Sequence, residues 1–427
     1  MQPPQRANDP ASPNVTAAMA LMLALLTICA PISMDLYLPV LPALTRDLGT
    51  STSMAQLTIT ACLIGLALGQ VIAGPLSDRY GRRRPLLVGL CAFVITSALC
   101  ALSPSIETLV LARFGQGLAA ATGIVIAQAS GRDLYSGRRL LKYYGQLAVL
   151  GGLAAIAGPV IGSQVARWSG WRGLFVLLSA VGVVLVIASF WIVRETLPTG
   201  SRSEPGFRLL IGRVRGLTRD RLFVGAVLTM GGVQTAVFAY LAGATFVLQE
   251  IYGLSPQGYA FIFAISATGF MMFGSLSARL AARWSEVTTL ALGLAVAGAA
   301  SIGLLAAAFL HLPLPGMAIP MFALLSGVGL TVPPTTSLAM AGYPHLAGTA
   351  ASILQAARFG VGGLFVPLVG ARGSDDARPF AVIVAAAVSA AGLAYVALIR
   401  PAARKTVGPE RDPAAHLPAD RDVPCSR

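Results

Sequence analysis

Three ionisable residues stand alone in long uncharged stretches, and their types are those that carry or bind charge. Asp35 is the one charged residue between Asp9 and Arg46, Arg113 the one between Glu107 and Arg132, and Arg358 the one between Glu286 and Arg372. Near the centre of an apolar helix of about 20 residues, the length that crosses a bilayer core, each such charge costs roughly 2.5–3.5 kcal/mol on insertion scales. Residues kept at that cost mark pathways for protons, ions or charged solutes. A carboxylate held between the opposing pulls of burial and a nearby arginine can titrate in a useful range and so carry a proton. Asp35 is the acid expected to do this and Arg113 its expected neighbour. Asp35 also admits a plainer reading, as an acid at a helix end reaching the headgroups. Arg113 likewise admits one, as a structural side chain bonded to backbone carbonyls.

The elements that would hold these residues are membrane helices. Hydrophobic residues make up 56% of the 427-residue chain and charged residues 11%, against about 25% charged in soluble domains. Glycine, at 46 residues, is enriched as it is where transmembrane backbones approach closely. Apolar runs and their breaks predict twelve spans, at 16–40, 54–76, 86–104, 106–129, 142–166, 172–194, 222–248, 257–279, 287–309, 315–338, 347–370 and 379–399. The first has the look of a signal peptide, but only Arg6 precedes it as a basic residue and no small-residue cleavage site follows, so it reads as a retained helix. Between 287 and 357, where no Asp, Glu, Lys or Arg falls, the Leu312-Pro313-Leu314-Pro315 and Tyr343-Pro344-His345 breaks divide the run.

The turn Gly74-Pro75-Leu76-Ser77-Asp78-Arg79-Tyr80-Gly81-Arg82-Arg83-Arg84-Pro85 packs one acid and four arginines between the uncharged runs 48–77 and 85–106. Basic residues gather in the loops after even-numbered spans, around Arg79, Arg132, Arg194 and Arg279, far more than after odd-numbered ones. Lys and Arg accumulate on the cytoplasmic side, so both termini are expected inside. The net charge of +14 then reflects topology and attraction to anionic headgroups, and nucleic acid is not an expected partner. With this topology Arg113 lies some five residues and Asp35 some seven outside the centre of their spans, roughly 7 and 10 Å from the midplane on the same side at 1.5 Å per residue. An ion pair or a water-linked pair is geometrically open to them.

The chain divides at its longest polar insertion. The expected organisation is a cytoplasmic segment at 1–15, a six-helix bundle at 16–195, a cytoplasmic loop at 196–221, a second bundle at 222–400 and a disordered cytoplasmic tail at 401–427. Gly74-Pro75-Leu76-Ser77-Asp78-Arg79 is echoed by Gly274-Ser275-Leu276-Ser277-Ala278-Arg279 at the equivalent turn of the second half. The fold class is therefore an all-α integral membrane protein of twelve transmembrane helices in two pseudo-symmetric bundles, the architecture of rocking transporters with a midplane site.

On these residues the chain resembles the major facilitator superfamily, in its drug:proton antiporter branch. The 74–85 turn matches the signature loop between spans two and three, and Arg113-Phe114-Gly115-Gln116-Gly117 the fourth-span arginine motif. Gly151-Gly152 through Gly158-Pro159-Val160-Ile161-Gly162 resembles the fifth-span antiporter motif, with Ser163 in place of a second glycine. Met34-Asp35-Leu36-Tyr37-Leu38-Pro39 and Gly131-Arg132-Asp133-Leu134-Tyr135 resemble hallmarks of the Bcr/CflA subfamily, which includes bicyclomycin and chloramphenicol exporters. The resemblance implies efflux of small, largely apolar compounds of that kind from a bacterial inner membrane. It implies a proton relay at Asp35 and Arg113, and a latch at Gly74, Asp78, Arg79, Gly81 and Arg82 that holds the two halves in one conformation. Through Gly151, Gly158, Pro159 and Gly162 it implies packing that favours antiport. Read without it, the basic turn could be an orientation signal alone and the Gly158-Pro159 step an ordinary helix kink. Ala278 replaces the acid of the first copy, so a latch would be asymmetric.

Tyr37, Gln116, Gln146, Gln234, Tyr240, Gln355 and Arg358 are the side chains expected to line an apolar substrate cavity, where a few polar contacts fix orientation. Glutamine also serves as interhelical glue. Arg358 departs from the small or polar residue of the family pattern and would favour neutral or anionic substrates over cations. No cofactor is expected, the proton gradient supplying the drive, and the protein is expected to act as a monomer with protons, a small-molecule substrate and the bilayer as partners. Enzyme chemistry finds no support, since His311, His345 and His416 have no metal-ligand spacing and neither a Walker loop nor a nucleophile elbow occurs. Cys29, Cys62, Cys91, Cys100 and Cys425 form no C-x-x-C pair and are expected to have no metal or disulfide role. A metabolite uniporter or symporter, and a polytopic receptor or scaffold that transports nothing, remain as competing readings.

Overall fold

A computed structural model describes residues 13–135, 137–197, 216–341, 343 and 347–406. Most of the expected 1–15 segment, 196–221 loop and 401–427 tail lies outside the described residues. Every regular element among them is helical. The helices are α1 (Pro13–Asp35), α2 (Leu41–Asp47), α3 (Thr52–Tyr80), α4 (Arg83–Ala101), α5 (Ile106–Leu134), α6 (Gly137–Ile192), α7 (Arg221–Phe246), α8 (Pro256–Arg283), α9 (Glu286–Leu310), α10 (Leu314–Ala341), α11 (Ala347–Ala356), α12 (Gly362–Leu364), α13 (Arg378–Ala394) and α14 (Arg400–Thr406). Among the described residues, eleven helical segments are long and apolar enough to cross a membrane.

Two expected spans, 142–166 and 172–194, fall within the 56 residues of α6. At 1.5 Å per residue that length, about 84 Å, far exceeds a hydrocarbon core of about 30 Å. Gly170, with φ 62° and ψ −169°, breaks the helix between them, a backbone geometry that a Cβ would oppose.

The spans at 222–248 and 379–399 end in π-helical turns, Val247–Ile251 and Tyr395–Ile399, and the two other spans that are not continuous α-helices each carry a lone charge. The first stops at Asp35, passes through a 3-10 turn at Leu38–Val40 and resumes as α2. Pro39 and Pro42 lack the amide hydrogens that a continuous helix would need there. The eleventh runs through α11, a π-helical turn at Ala357–Val361, α12 and a 3-10 turn at Val366–Gly370. Arg358 stands on the π-turn, a local widening often found at functional sites.

The helices up to α6 pack mainly against one another, α3 on α5 and α1 on α6, and those from α7 onward do the same, with α10 on α8 and α9 and α7 on α13. The two sets meet along α6 with α8 and along α3 with the α11–α12 region. They are pinned at the end remote from the basic turn. There Arg46 Nη1 lies 2.8 Å from Glu250 Oε1, Thr245 Oγ1 donates to Leu38 O at 2.8 Å and Gln249 Nε2 to Pro39 O at 2.9 Å. Gln56 Nε2 donates to Ala242 O at 3.2 Å, Gln257 Nε2 to Ser163 O at 3.2 Å and, deepest, Thr60 Oγ1 to Gly363 O at 2.8 Å. Among the described residues, the hydrogen bonds and ion pairs of the basic turn stay within the first set.

Candidate functional site

The end of α1 builds the centre of the site. Asp35 is 6% exposed and its carboxylate makes no hydrogen bond or ion pair among the described residues. It packs on α6 at Gly158, where an added Cβ would stand 2.8 Å from the Asp35 Cβ. One turn on, a Cβ at Gly162 would collide with the Leu36 carbonyl oxygen, so α1 and α6 meet backbone to backbone beside the acid. Gly151 has open space around its Cα, so packing does not require glycine there. Pro159 lies inside α6 between the two contacts. From the second set, α8, which carries Tyr259, packs on the Leu38–Val40 turn that follows Asp35, and the buried Tyr259 hydroxyl has no hydrogen-bond partner among the described residues. Tyr259 was not singled out from sequence, where it is one tyrosine in an apolar run.

Arg113 does not pair with Asp35 in this structure. It is fully buried, and its Nη1 donates to Ser33 O at 3.0 Å and to Gln116 Oε1 at 2.5 Å, while Nη2 approaches Met34 Sδ at 3.4 Å. Its guanidinium lies 4.3 Å from the centroid of the Tyr37 ring and 5.6 Å from that of Phe175. Because α1 ends at Asp35, the last carbonyls of the helix are short of intrahelical partners, and Arg113 takes one of them. The same arrangement withdraws two expected cavity residues. Tyr37 gives its hydroxyl to an interaction with Thr58 Oγ1 at 2.9 Å, and Gln116 spends its other end on Ser97 Oγ at 2.7 Å. Both are wholly buried and belong to the lattice around Arg113.

The other expected lining residues separate as follows. Gln146 is exposed on α6, near the end that carries the basic turns. Gln234 and Tyr240 on α7 are buried, and Gln234 Oε1 and the Tyr240 hydroxyl find no hydrogen-bond partner among the described residues. The Tyr240 and Tyr259 rings each stand 5.9 Å from Phe263, so two orphaned hydroxyls flank one apolar ring. Gln355 and Arg358 are half-buried on the α11 side.

The basic turn forms a network inside the first set. Arg82, 6% exposed, donates to Asp133 at 2.9 Å, to Ser77 Oγ at 2.8 Å and to Asp78. Burial opposes its charge, but the carboxylates of Asp133 and Asp78 outweigh burial and hold its pKa above the ordinary arginine value. Glu195, at the end of α6, accepts from the Arg82 and Arg83 amides at 2.8 and 3.3 Å. Gly81, at φ 86°, makes the turn that points those amides at it. Gly74 has no neighbour that excludes a Cβ, and Arg79 is exposed and lies against its own neighbour Tyr80. Among the described residues the expected latch between halves is therefore not engaged: its partners Asp133 and Glu195 come from α5 and from just beyond α6, and neither was assigned a role from sequence. At the second copy, Arg279 is exposed with no ion pair among the described residues, and Ser277 donates to Leu330 O at 2.7 Å. Replacing Arg82 by Lys should open the turn, since an ammonium cannot serve Asp133, Asp78 and Ser77 together. Losing a charge-assisted hydrogen bond should speed hydrogen exchange of the 81–84 amides about tenfold or more, and unchanged exchange would remove Arg82 as the organiser.

The Major Facilitator Superfamily model matches residues 23–367. The chain belongs to the major facilitator superfamily. This superfamily member is 35% identical over 385 residues to the uncharacterized MFS-type transporter YdgK of Bacillus subtilis (strain 168), across 90% of this chain and 96% of that one. It is 31% identical over 365 residues to the chloramphenicol resistance protein of Pseudomonas aeruginosa, across 83% of each, in keeping with the Bcr/CflA resemblance. A solved bacterial homologue of the human lysosomal transporter Spinster, in an inward-facing and occupied conformation, shares the fold, with TM-score 0.72 and 16% identity over 92% of this chain and 98% of that one. The protein is thus a multi-pass membrane transporter of the superfamily and not an enzyme.

Proposed function

We propose that this transporter exports small, largely apolar compounds in exchange for protons, by alternating access of two pseudo-symmetric six-helix bundles, 16–195 and 222–400. Twelve spans follow when the segments on either side of Gly170 are taken as separate crossings. The basic turns then lie in the cytoplasm with both termini, in a bacterial inner membrane, and the pinned end faces outward. The observation that carries the reading is Asp35, a buried acid with no partner among the described residues, at a break in the first span where α6 of its own half packs on it and α8 of the other half packs on the turn that follows. A proton taken from outside neutralises it, and the change is felt at the contact between halves. The chloramphenicol-resistance relative supports efflux as the direction. One proton moving down 100 mV supplies about 2.3 kcal/mol, enough for roughly fifty-fold accumulation of a neutral compound exchanged one for one. Reconstituted vesicles with an inside-acid lumen test the direction: antiport draws the compound in, and a symporter expels it.

Alternating access has its own test at the pinned end. In a background with Cys91 and Cys425 replaced by Ser, Arg46→Cys with Glu250→Cys should be joined by a short bis-maleimide across the present ion pair. Transport should stop in the crosslinked protein and persist in the unlinked double variant. Full transport by the crosslinked protein would show that this end need not open.

A further inference from the structure

Arg358, the cation set apart within the long uncharged stretch of the second half, has no carboxylate partner among the described residues. Among the described residues no acid lies within 4.0 Å of Arg358, its Nε is buried without a hydrogen-bond partner, and its guanidinium rests 5.4 Å from the ring of Phe359. The residue as a whole is only half-buried, so the remaining guanidinium nitrogens, which are not among the sealed orphans, reach accessible space. Gln355 stands three residues earlier, in the last turn of α11 before the π-turn, and its amide makes no hydrogen bond among the described residues. A third donor comes from the other half. Gly363 packs on Leu63, and Gly360 on Ala67 at 3.8 Å from a would-be Cβ. Continued one turn, that register brings Gln70 level with Ala356 and Ala357. Gln70 Nε2 is buried and has no hydrogen-bond partner among the described residues. The ring of Phe359 faces Phe238 of α7 at 6.1 Å, an apolar wall beside the donors.

Three unpaired donors at one depth, one of them a permanent cation, beside two aromatic rings, want an oxyanion on an apolar body. We propose that Arg358, with Gln355 and Gln70, seats the carboxylate or sulfonate of an amphiphilic organic anion, and that such anions are the preferred substrates. The inference rests on the efflux reading and deepens it. Asp35 is committed to the proton at the α1–α6 contact, so the anion and the proton occupy different places. Exporting a monoanion against an entering proton moves one more charge than exporting its neutral amide.

The test uses proteoliposomes of the full chain and a matched pair of probes, an aromatic carboxylate and its primary amide. The wild type should prefer the carboxylate. Its steady-state gradient should exceed the amide's by one charge's worth of the imposed potential, about fifty-fold per 100 mV. Arg358→Gln should lower the carboxylate-to-amide ratio by about ten- to a hundred-fold, the loss of a charge-assisted hydrogen bond, and Arg358→Lys should retain most of it. Gel filtration of each variant establishes that it is folded. Equal potential dependence for both probes, or an unchanged ratio in Arg358→Gln, would overturn the seat. A lipid phosphate offers the same chemistry, so the measurement is repeated with and without phosphatidylglycerol. A preference unaffected by that lipid supports the substrate, and one erased by it assigns Arg358 to the bilayer. Should the wild type move neither probe against a pH gradient, the efflux reading itself fails. Export of the amide but not the carboxylate defeats the anion seat alone.

Discussion

Replacing Asp35 by Asn collapses the proton-driven gradient of exported compound, from roughly fifty-fold at 100 mV towards unity, while the protein still folds and still equilibrates its substrate. The expectation follows from what surrounds the carboxylate. It has no hydrogen-bond or ion-pair partner among the described residues, so an amide of the same shape strands none. The contact with Gly158 is made by the Asp35 Cβ, which Asn keeps. The amide does not titrate and cannot carry a proton across, and among the described residues no other carboxylate is buried. Arg113 is bound elsewhere, and Tyr259 and Tyr240 are phenols. Counterflow of labelled compound against unlabelled, without any pH gradient, should persist in Asp35→Asn, because exchange needs binding and movement but not proton coupling. Efflux driven as before by the pH gradient would remove Asp35 from the mechanism.

Much of this architecture was legible because membrane helices write themselves into sequence as long uncharged runs, and basic turns mark one side. The depth of Asp35 and Arg113 could also be read, since rise per residue is fixed. Facing could not. Two residues at similar depth on neighbouring helices meet only if both point at the same gap, and a helix break at Asp35 turned Arg113 towards the Ser33 carbonyl instead. The same break drew Tyr37 and Gln116 out of the expected cavity and into the lattice around Arg113. The turn at 74–85 announced its arginines, but Asp133 and Glu195 reach Arg82 from 51 and 113 residues away, distances at which spacing carries no signal. The π-turn under Arg358 left no mark either, because its side chains show no periodic pattern that differs from a helix.

Arg113→Ala should destabilise the fold by about 2–4 kcal/mol, in contrast to Asp35→Asn. The guanidinium is fully buried and serves Ser33 O and Gln116 Oε1 at once. Its removal leaves both acceptors without that donor, at about 1–3 kcal/mol for each one left unsatisfied, and opens a void against the Tyr37 and Phe175 rings, which adds a cavity cost. Removing a buried cation also returns a desolvation cost. Here carbonyl, amide and ring faces already solvate that cation, so the stranded acceptors and the void decide the sign. The measurement is the fraction of monodisperse protein in detergent after heating, with transport recorded across a range of pH. Arg113→Ala should lose the folded fraction at lower temperature and lose transport at every pH. If instead it is as heat-stable as the wild type and only the pH dependence of efflux moves, Arg113 is a relay that acts with Asp35, and the lattice around it is incidental.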